Sequence, residues 1–307
     1  MHRNTLTSFS RVAVAAAAAA AIPALAGAEQ IFGLTTQNSI VVIDSDNSSV
    51  AVDGGFVSGL DGGEFLLDID YRPGTGDVYA ISSADNVYII DQNDFSASLV
   101  GNFAPPSLRG TSFAFDFNNA FDGGSGDPDD VGRFARIISN TDDNVVIDGD
   151  TGLYLGGPKT DAFYAAGDVN EGADPNVVGI AYTNAVPGAD STQQFGIDLN
   201  TGALVTVANN AGTLETVGSL GLSAQSTFTN EAALDISGAT GTAFAVLEPA
   251  GGVSELYVVD LDSGAASSVG LFDGNDTIRS LTVVPVPEPT SLALLGVAGL
   301  GLVRRRR

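Results

Sequence analysis

Five aspartates recur at comparable places along this chain and are its best candidates for chemistry. Asp68 and Asp70 lie in FLLDIDY, Asp116 in SFAFDFN, Asp168 in AFYAAGDV and Asp235 in EAALDIS. Each stretch reads as the first strand of a repeated group of short strands. Carboxylates gathered from separate strands could act as acid and nucleophile or base in glycoside hydrolysis. They could also share an ion or another ligand. Against hydrolysis, one acid repeated per group is a structural pattern, because acid–base work needs unlike carboxylates in unlike surroundings. Packing between repeats is therefore the favoured reading of Asp70, Asp116, Asp168 and Asp235, and a glycosidase or lyase is the alternative. Geometry separates the two. Carboxylates about 5–9 Å apart in an open pocket would carry catalysis. Buried aspartates accepting backbone N–H groups would carry packing.

Calcium is the one metal the composition suggests. It takes about six to eight oxygens from carboxylates, carbonyls and water. Acidic turns include Asp44 to Asn47, Asp142-Asp143 and Asp148 to Asp150. None completes an EF-hand loop, and solvated turns account for most of them. The best single ion site is the insertion FDGGSGDPDDVG, through Asp127, Asp129 and Asp130. No other cofactor is expected. The chain has seven tyrosines and no tryptophan, so aromatic sugar platforms are weakly supported. Strand alternation places most of the tyrosines in the core or on sheet faces.

Counts exclude much else. There is no cysteine, and the single histidine is His2. The body beyond residue 28 therefore lacks disulfides, a thiol nucleophile and imidazole, which removes Cys-His and Ser-His-Asp catalysis and the usual zinc sites. From residue 29 to 286 there are 36 acidic and 6 basic residues, a net charge of −30. Such a body repels nucleic acid and anionic membrane surfaces. It would accept divalent cations and neutral glycans.

The elements that must position these residues are short β-type runs broken by Gly, Asn and Asp, with no long 3.6-residue period between the ends. This pattern predicts an all-β sandwich, barrel or propeller, and recurrence in groups of four favours the propeller. One group runs through FLLDIDY, DVYAIS, NVYIID and SASLVG. A second runs through SFAFDFN, RFARIIS, NVVIDG and a short edge at Leu153–Leu155. A third starts with AFYAAGDV and continues through NVVGIAYT, QQFGIDL and ALVTVA. A fourth runs through EAALDIS, TAFAVL, ELYVVDL and AASSVG. QIFGLT, SIVVID and SVAVD near the start lack a first strand, and TIRSLTVV near the end lacks successors. Together they would close the ring and remove two exposed edges. Five blades are expected. A sixth could use Gly212–Gln225, which fits this scheme poorly, and a sandwich remains the alternative architecture. Third strands end in Ile-Asp or Val-Asp at Asp44, Asp91, Asp148, Asp198 and Asp260, as hairpin turns require.

Both ends read as targeting segments. Residues 1–28 form a signal peptide: His2, Arg3 and Arg11 precede an alanine-rich core, and Ala26-Gly27-Ala28 fits small-residue cleavage before Glu29. Residues 286–307 carry Pro287, Glu288 and Pro289, an apolar run expected to be a short anchor helix, and Arg304, Arg305, Arg306 and Arg307. The arginines would stay cytoplasmic, in the inner membrane's inner face, with the body outside. This order resembles the PEP-CTERM sorting signal, which implies recognition and processing by an exosortase together with the secretion machinery.

The body, residues 29–285, has its own resemblance. FLLDIDYRPGTGDVYAIS, RFARIISNTDDNVVIDGDTG and above all GIAYTNAVPGADSTQQFGIDLNTGALVTVANNAGTLETVGSLG look like the bacterial secreted domain-of-unknown-function family 4394. That resemblance implies a propeller-like fold and brings no activity. The expected function is a non-enzymatic binding or structural role at the cell surface or in the extracellular matrix, associated with exopolysaccharide.

Overall fold

The computed structural model describes residues 28–105, 107–127, 130–156, 160–222, 228–249, 253–272 and 277–285. The expected signal peptide before residue 28 and the expected anchor helix after residue 285 lie outside the described residues. Among those described, no helix is long and apolar enough to cross a membrane.

Short β-prone runs joined by tight turns pair with their neighbours in sequence, so the chain folds as successive antiparallel meanders. The first comprises β1 (Gln30–Thr35), β2 (Ser39–Asp44) and β3 (Asn47–Phe56). The second is β4 (Leu66–Arg72), β5 (Asp77–Ser82), β6 (Asn86–Ile90) and β7 (Ala97–Asn102). The third is β8 (Phe113–Phe117), β9 (Phe134–Ser139) and β10 (Asn144–Asp148). Its outer edge is a bridge between Ile147 and Tyr154. After β11 (Phe163–Tyr164), the fourth meander is β12 (Val177–Tyr182), β13 (Gln194–Asp198), β14 (Ala203–Ala208) and β15 (Thr213–Ser219). The fifth is β16 (Phe228–Ile236), β17 (Ala243–Pro249), β18 (Glu255–Val259) and β19 (Ala266–Leu271). The last strand, β20 (Ile278–Val284), returns to the start and pairs with β1 from Gln30↔Val284 to Thr35↔Ile278. The result is a five-bladed β-propeller whose first blade is built from both ends of the body.

The fourth blade differs from expectation by one strand. AFYAAGDV supplies only the two-residue β11, which runs parallel to β15 on the blade's outer edge. The polar, glycine-containing stretch Asp168 to Pro175 forms successive turns, so the chain cannot make a hairpin there. NVVGIAYT is therefore the innermost strand. The segment that fitted the expected scheme poorly, LETVGSLGL, is the blade's fourth strand rather than part of a sixth blade.

The core lies between blades. Each blade face packs on its neighbour: Phe32, Leu34 and Ile40 of blade 1 meet Ile69, Val78 and Tyr88 of blade 2. Phe113, Phe115 and Phe117 meet Tyr79 and Ile81. Similar clusters fill the other three gaps. Both faces of the middle strands are thus buried, which explains their near-continuous apolar runs. The aspartates ending the third strands act as turn residues. Asp91 Oδ1 accepts the Asn93 N–H at 2.7 Å, Asp148 Oδ1 that of Asp150 at 2.9 Å, and Asp260 Oδ1 that of Asp262 at 3.0 Å.

Candidate functional site

The innermost strands β20, β4, β8, β12 and β16 surround the channel. Each is an inner edge with no further strand to take its N–H groups, yet it is too buried for water to serve all of them. The chain meets this need with side chains. On four of the five inner strands, polar side chains face the next blade, and their oxygens accept N–H groups of the next inner strand. Ser280 Oγ accepts from Ile69 at 3.0 Å and Thr282 Oγ1 from Tyr71 at 2.8 Å. Asp68 Oδ2 accepts from Phe115 at 2.6 Å and Asp70 Oδ2 from Phe117 at 2.9 Å. Asp116 accepts from the Tyr182 N–H. Asp235 Oδ2 accepts from Val283 at 2.6 Å and so returns the relay to β20. The step from β12 to β16 has no side chain. Gly179 lies so close to β16 that a Cβ there would sit 2.9 Å from Leu234 N. A bulge between Leu66 and Asp68 turns Asp68 and Asp70 toward the third blade.

Three of these carboxylates converge. Asp70, Asp116 and Asp235, from blades 2, 3 and 5, each offer an oxygen within 4.8 Å of the others. They are 4, 5 and 6 % exposed. They line a cavity of about 10 Å³, with Asn119, Gly238 and Pro285 among its other walls; that is room for about one water. Thr282 Oγ1 lies between Asp235 Oδ2 at 3.0 Å and Asp70 Oδ1 at 3.3 Å. Ser280 donates to Asp68 Oδ1. Burial pushes Asp68, Asp70 and Asp116 well above the usual carboxylate range, and for Asp70 and Asp116 the neighbouring carboxylates push the same way. Burial also raises Asp235, against the pull of hydrogen bonds from Val283, Thr282 and Ile236.

Asp168 is not part of this cluster. It sits in the turn after β11. Its partial desolvation is outweighed by hydrogen bonds from Thr216 and Asn170, which hold it below the usual range. The reason is the strand shift in blade 4, where Gly179 occupies the inner position. Of the expected ion site, Asp129 lies outside the described residues. Asp130 Oδ1 ion-pairs with Arg133 Nη1 at 2.7 Å, so its charge is balanced by an arginine. Asp127 caps a turn by accepting the Asp130 N–H at its carbonyl. Asp148 and Asp150 are likewise paired with Arg133 and Arg72, and Asp143 with Arg109. Five of the tyrosines, Tyr79, Tyr88, Tyr164, Tyr182 and Tyr257, are buried. The sorting residues Pro287 to Pro289 and Arg304 to Arg307, and the cleavage residue Ala26, lie outside the described residues.

Sequence reasoning missed Ser280, Thr282, Gly179 and Asn119. Ser280 and Thr282 repeat the two-residue spacing of Asp68 and Asp70, a signal that aligning the inner strands exposes. Asn119 carries no such signal, since it lies in a loop three residues beyond Asp116.

Comparison with known proteins adds a family and little chemistry. The family described as "Domain of unknown function (DUF4394)" matches residues 39–282. A PEP-CTERM protein-sorting motif matches residues 285–307. No curated protein matches the chain. Among solved structures, TolB from Acinetobacter baumannii matches at 12 % identity and a TM-score of 0.41, over 82 % of this chain and 54 % of TolB. The dihydro-heme d1 dehydrogenase NirN matches at 14 % identity and a TM-score of 0.34, over 79 % of this chain and 44 % of NirN. The chain thus spans about half the length of these proteins, and likenesses so slight carry no argument.

Proposed function

Starting from a chain that belongs to the DUF4394 family and ends in a PEP-CTERM sorting motif, we propose a rigid, non-enzymatic propeller held at the cell surface or in the extracellular matrix. The motif marks an exosortase-sorted exported protein that is anchored at the membrane before processing. The signal peptide would start export, and the arginine tail would hold the chain in the inner membrane. The propeller would then associate with exopolysaccharide, its exposed carboxylates accepting hydrogen bonds from the hydroxyls of neutral glycans, which its negative charge does not repel.

One observation carries the non-enzymatic part. The channel carboxylates accept backbone N–H groups, and the cavity between them holds about one water. A sugar ring does not fit there, so the groups best suited to acid–base work are spent on holding blades together. The glycosidase or lyase reading would need a second carboxylate pair in an open cleft.

Two experiments test this reading. The full-length chain is expressed, exported and recovered, then mixed with the producing organism's extracellular polysaccharide. Co-sedimentation without new reducing ends is expected, and new reducing ends would overturn the non-enzymatic reading. Replacing Glu288 or deleting Arg304 to Arg307 is expected to change processing and surface retention. An unchanged mass and location on immunoblot would count against sorting through this tail.

A further inference from the structure

We propose that Asp70, Asp116 and Asp235, together with the Oδ1 of Asn119, form a calcium site in the centre of the propeller. The three carboxylates reach one another from three blades, with oxygens within 4.8 Å. A calcium ion at about 2.3–2.6 Å from each oxygen spans that gap. The second observation is independent of the acids. Asn119 lines the same cavity and is 2 % exposed, and its Oδ1 is buried without a hydrogen-bond partner. Its Nδ2 donates to the Phe117 carbonyl at 3.1 Å, which fixes the amide's orientation and leaves the oxygen as a spare acceptor. A buried amide oxygen without a donor is costly unless something electropositive approaches it.

Charge points the same way. Among the described residues, no ion pair reaches Asp70, Asp116 or Asp235. Arg136 stands opposite Asp116 in the β8–β9 register. Its guanidinium is nevertheless directed to Tyr182, Asn144 and Asn210. Arg72, two residues beyond Asp70, is paired with Asp150. Three like charges this close in a low-dielectric site need protons or a cation between them. Each carboxylate oxygen that accepts an N–H keeps a second lone pair for a metal. Three carboxylates and the amide oxygen give four ligands, and two of the carboxylates binding through both oxygens bring the count to about six, within calcium's range. Magnesium fits less well, because it sheds water reluctantly and the cavity has room for about one. The ion would join blades 2, 3 and 5 across the axis, whatever the protein binds outside.

The test uses the full-length chain after export and recovery, stripped with EDTA and desalted. Calcium chloride is then added, and bound metal and thermal midpoint are measured. About one tightly held calcium per chain and a midpoint rise of about 5 °C in millimolar calcium are expected, with no comparable rise in magnesium. Asp116→Asn keeps an oxygen for the Tyr182 N–H, so it should fold, yet weaken calcium binding at least about tenfold. Asp46→Asn, in an exposed turn, should leave binding unchanged. Absence of bound calcium and of any midpoint change in the wild type would overturn the proposal. So would calcium affinity undiminished in Asp116→Asn, which would place the ion on the surface turns, or an equal response to magnesium.

Discussion

Asp68 accepts N–H groups from two strands, Ile69 beside it at 2.8 Å and Phe115 across the blade gap at 2.6 Å. It is also the acceptor for Ser280. Asp68→Ala would strand the buried Phe115 N–H and leave Ile69 and Ser280 only their bonds to each other, and a loss of about 2–4 kcal/mol is expected. Asp68→Asn keeps one acceptor oxygen and should lose less. Urea unfolding with an unchanged m value would measure the difference, and equal stability of Asp68→Ala and wild type would refute the role. Asp142, in the β9–β10 turn, behaves differently. Desolvation, then Asp174 and Asp161, push its carboxyl up to about 6. A raised folded pKa means that the native state binds more protons than the unfolded chain between about pH 4 and 6. Stability from this group is present below that window and lost as pH rises through it. Asp142→Asn should therefore gain stability at pH 7 and little at pH 4, as read by thermal midpoints at both values. Asp70, Asp116 and Asp235 were legible as candidates because aspartate is rare inside strands. Asp168 was not separable from them, because a strand-like stretch and a turn stretch look alike when both contain Phe, Tyr, Ala and Asp.

At the scale of elements, the inner strands form a relay in which each lends oxygens to the next. Gly179 marks the one step where backbone approaches backbone. Gly179→Ala would place its Cβ 2.9 Å from Leu234 N and 3.0 Å from Ala233 C. Backbone atoms cannot swing aside, so a loss of about 1–3 kcal/mol is expected, whereas an alanine at Gly62, which meets nothing within 4 Å, should be tolerated. Comparison of the two variants by chemical denaturation checks this. A stable Gly179→Ala would mean that blades 4 and 5 are not in close contact there. Most strands were readable from alternation and from the Asp turns at Asp91, Asp148 and Asp260. Blade 4 was not, since β11 pairs in parallel with β15, some fifty residues later, and local pattern carries no record of such a partner.

At the scale of the whole molecule, closure and anchoring meet at one point. β20 ends at Val284 and the sorting motif starts at residue 285. Processing must therefore occur beyond Val284 if the ring is to survive it. A chain ending at residue 285 should keep the wild-type thermal midpoint, while one ending at residue 277 loses β20 and with it Ser280, Thr282 and the edge partner of β1. That second chain should unfold or aggregate through exposed strand edges, and size-exclusion chromatography would distinguish the two. A compact monomer ending at residue 277 would contradict closure by β20. The sequence by itself determined the all-β class, the unequal ends whose missing strands complete each other, the sorting tail, and the lack of cysteine and, beyond residue 28, of histidine. These follow from composition and from periods of a few residues, which survive in one dimension. Only the tertiary structure decided which strand of blade 4 lines the channel, that Asp70, Asp116 and Asp235 meet while Asp168 does not, and that Asn119 joins them. Those outcomes depend on strand register, on a bulge and on a glycine-sized gap, and such distances exist only once the ring has closed.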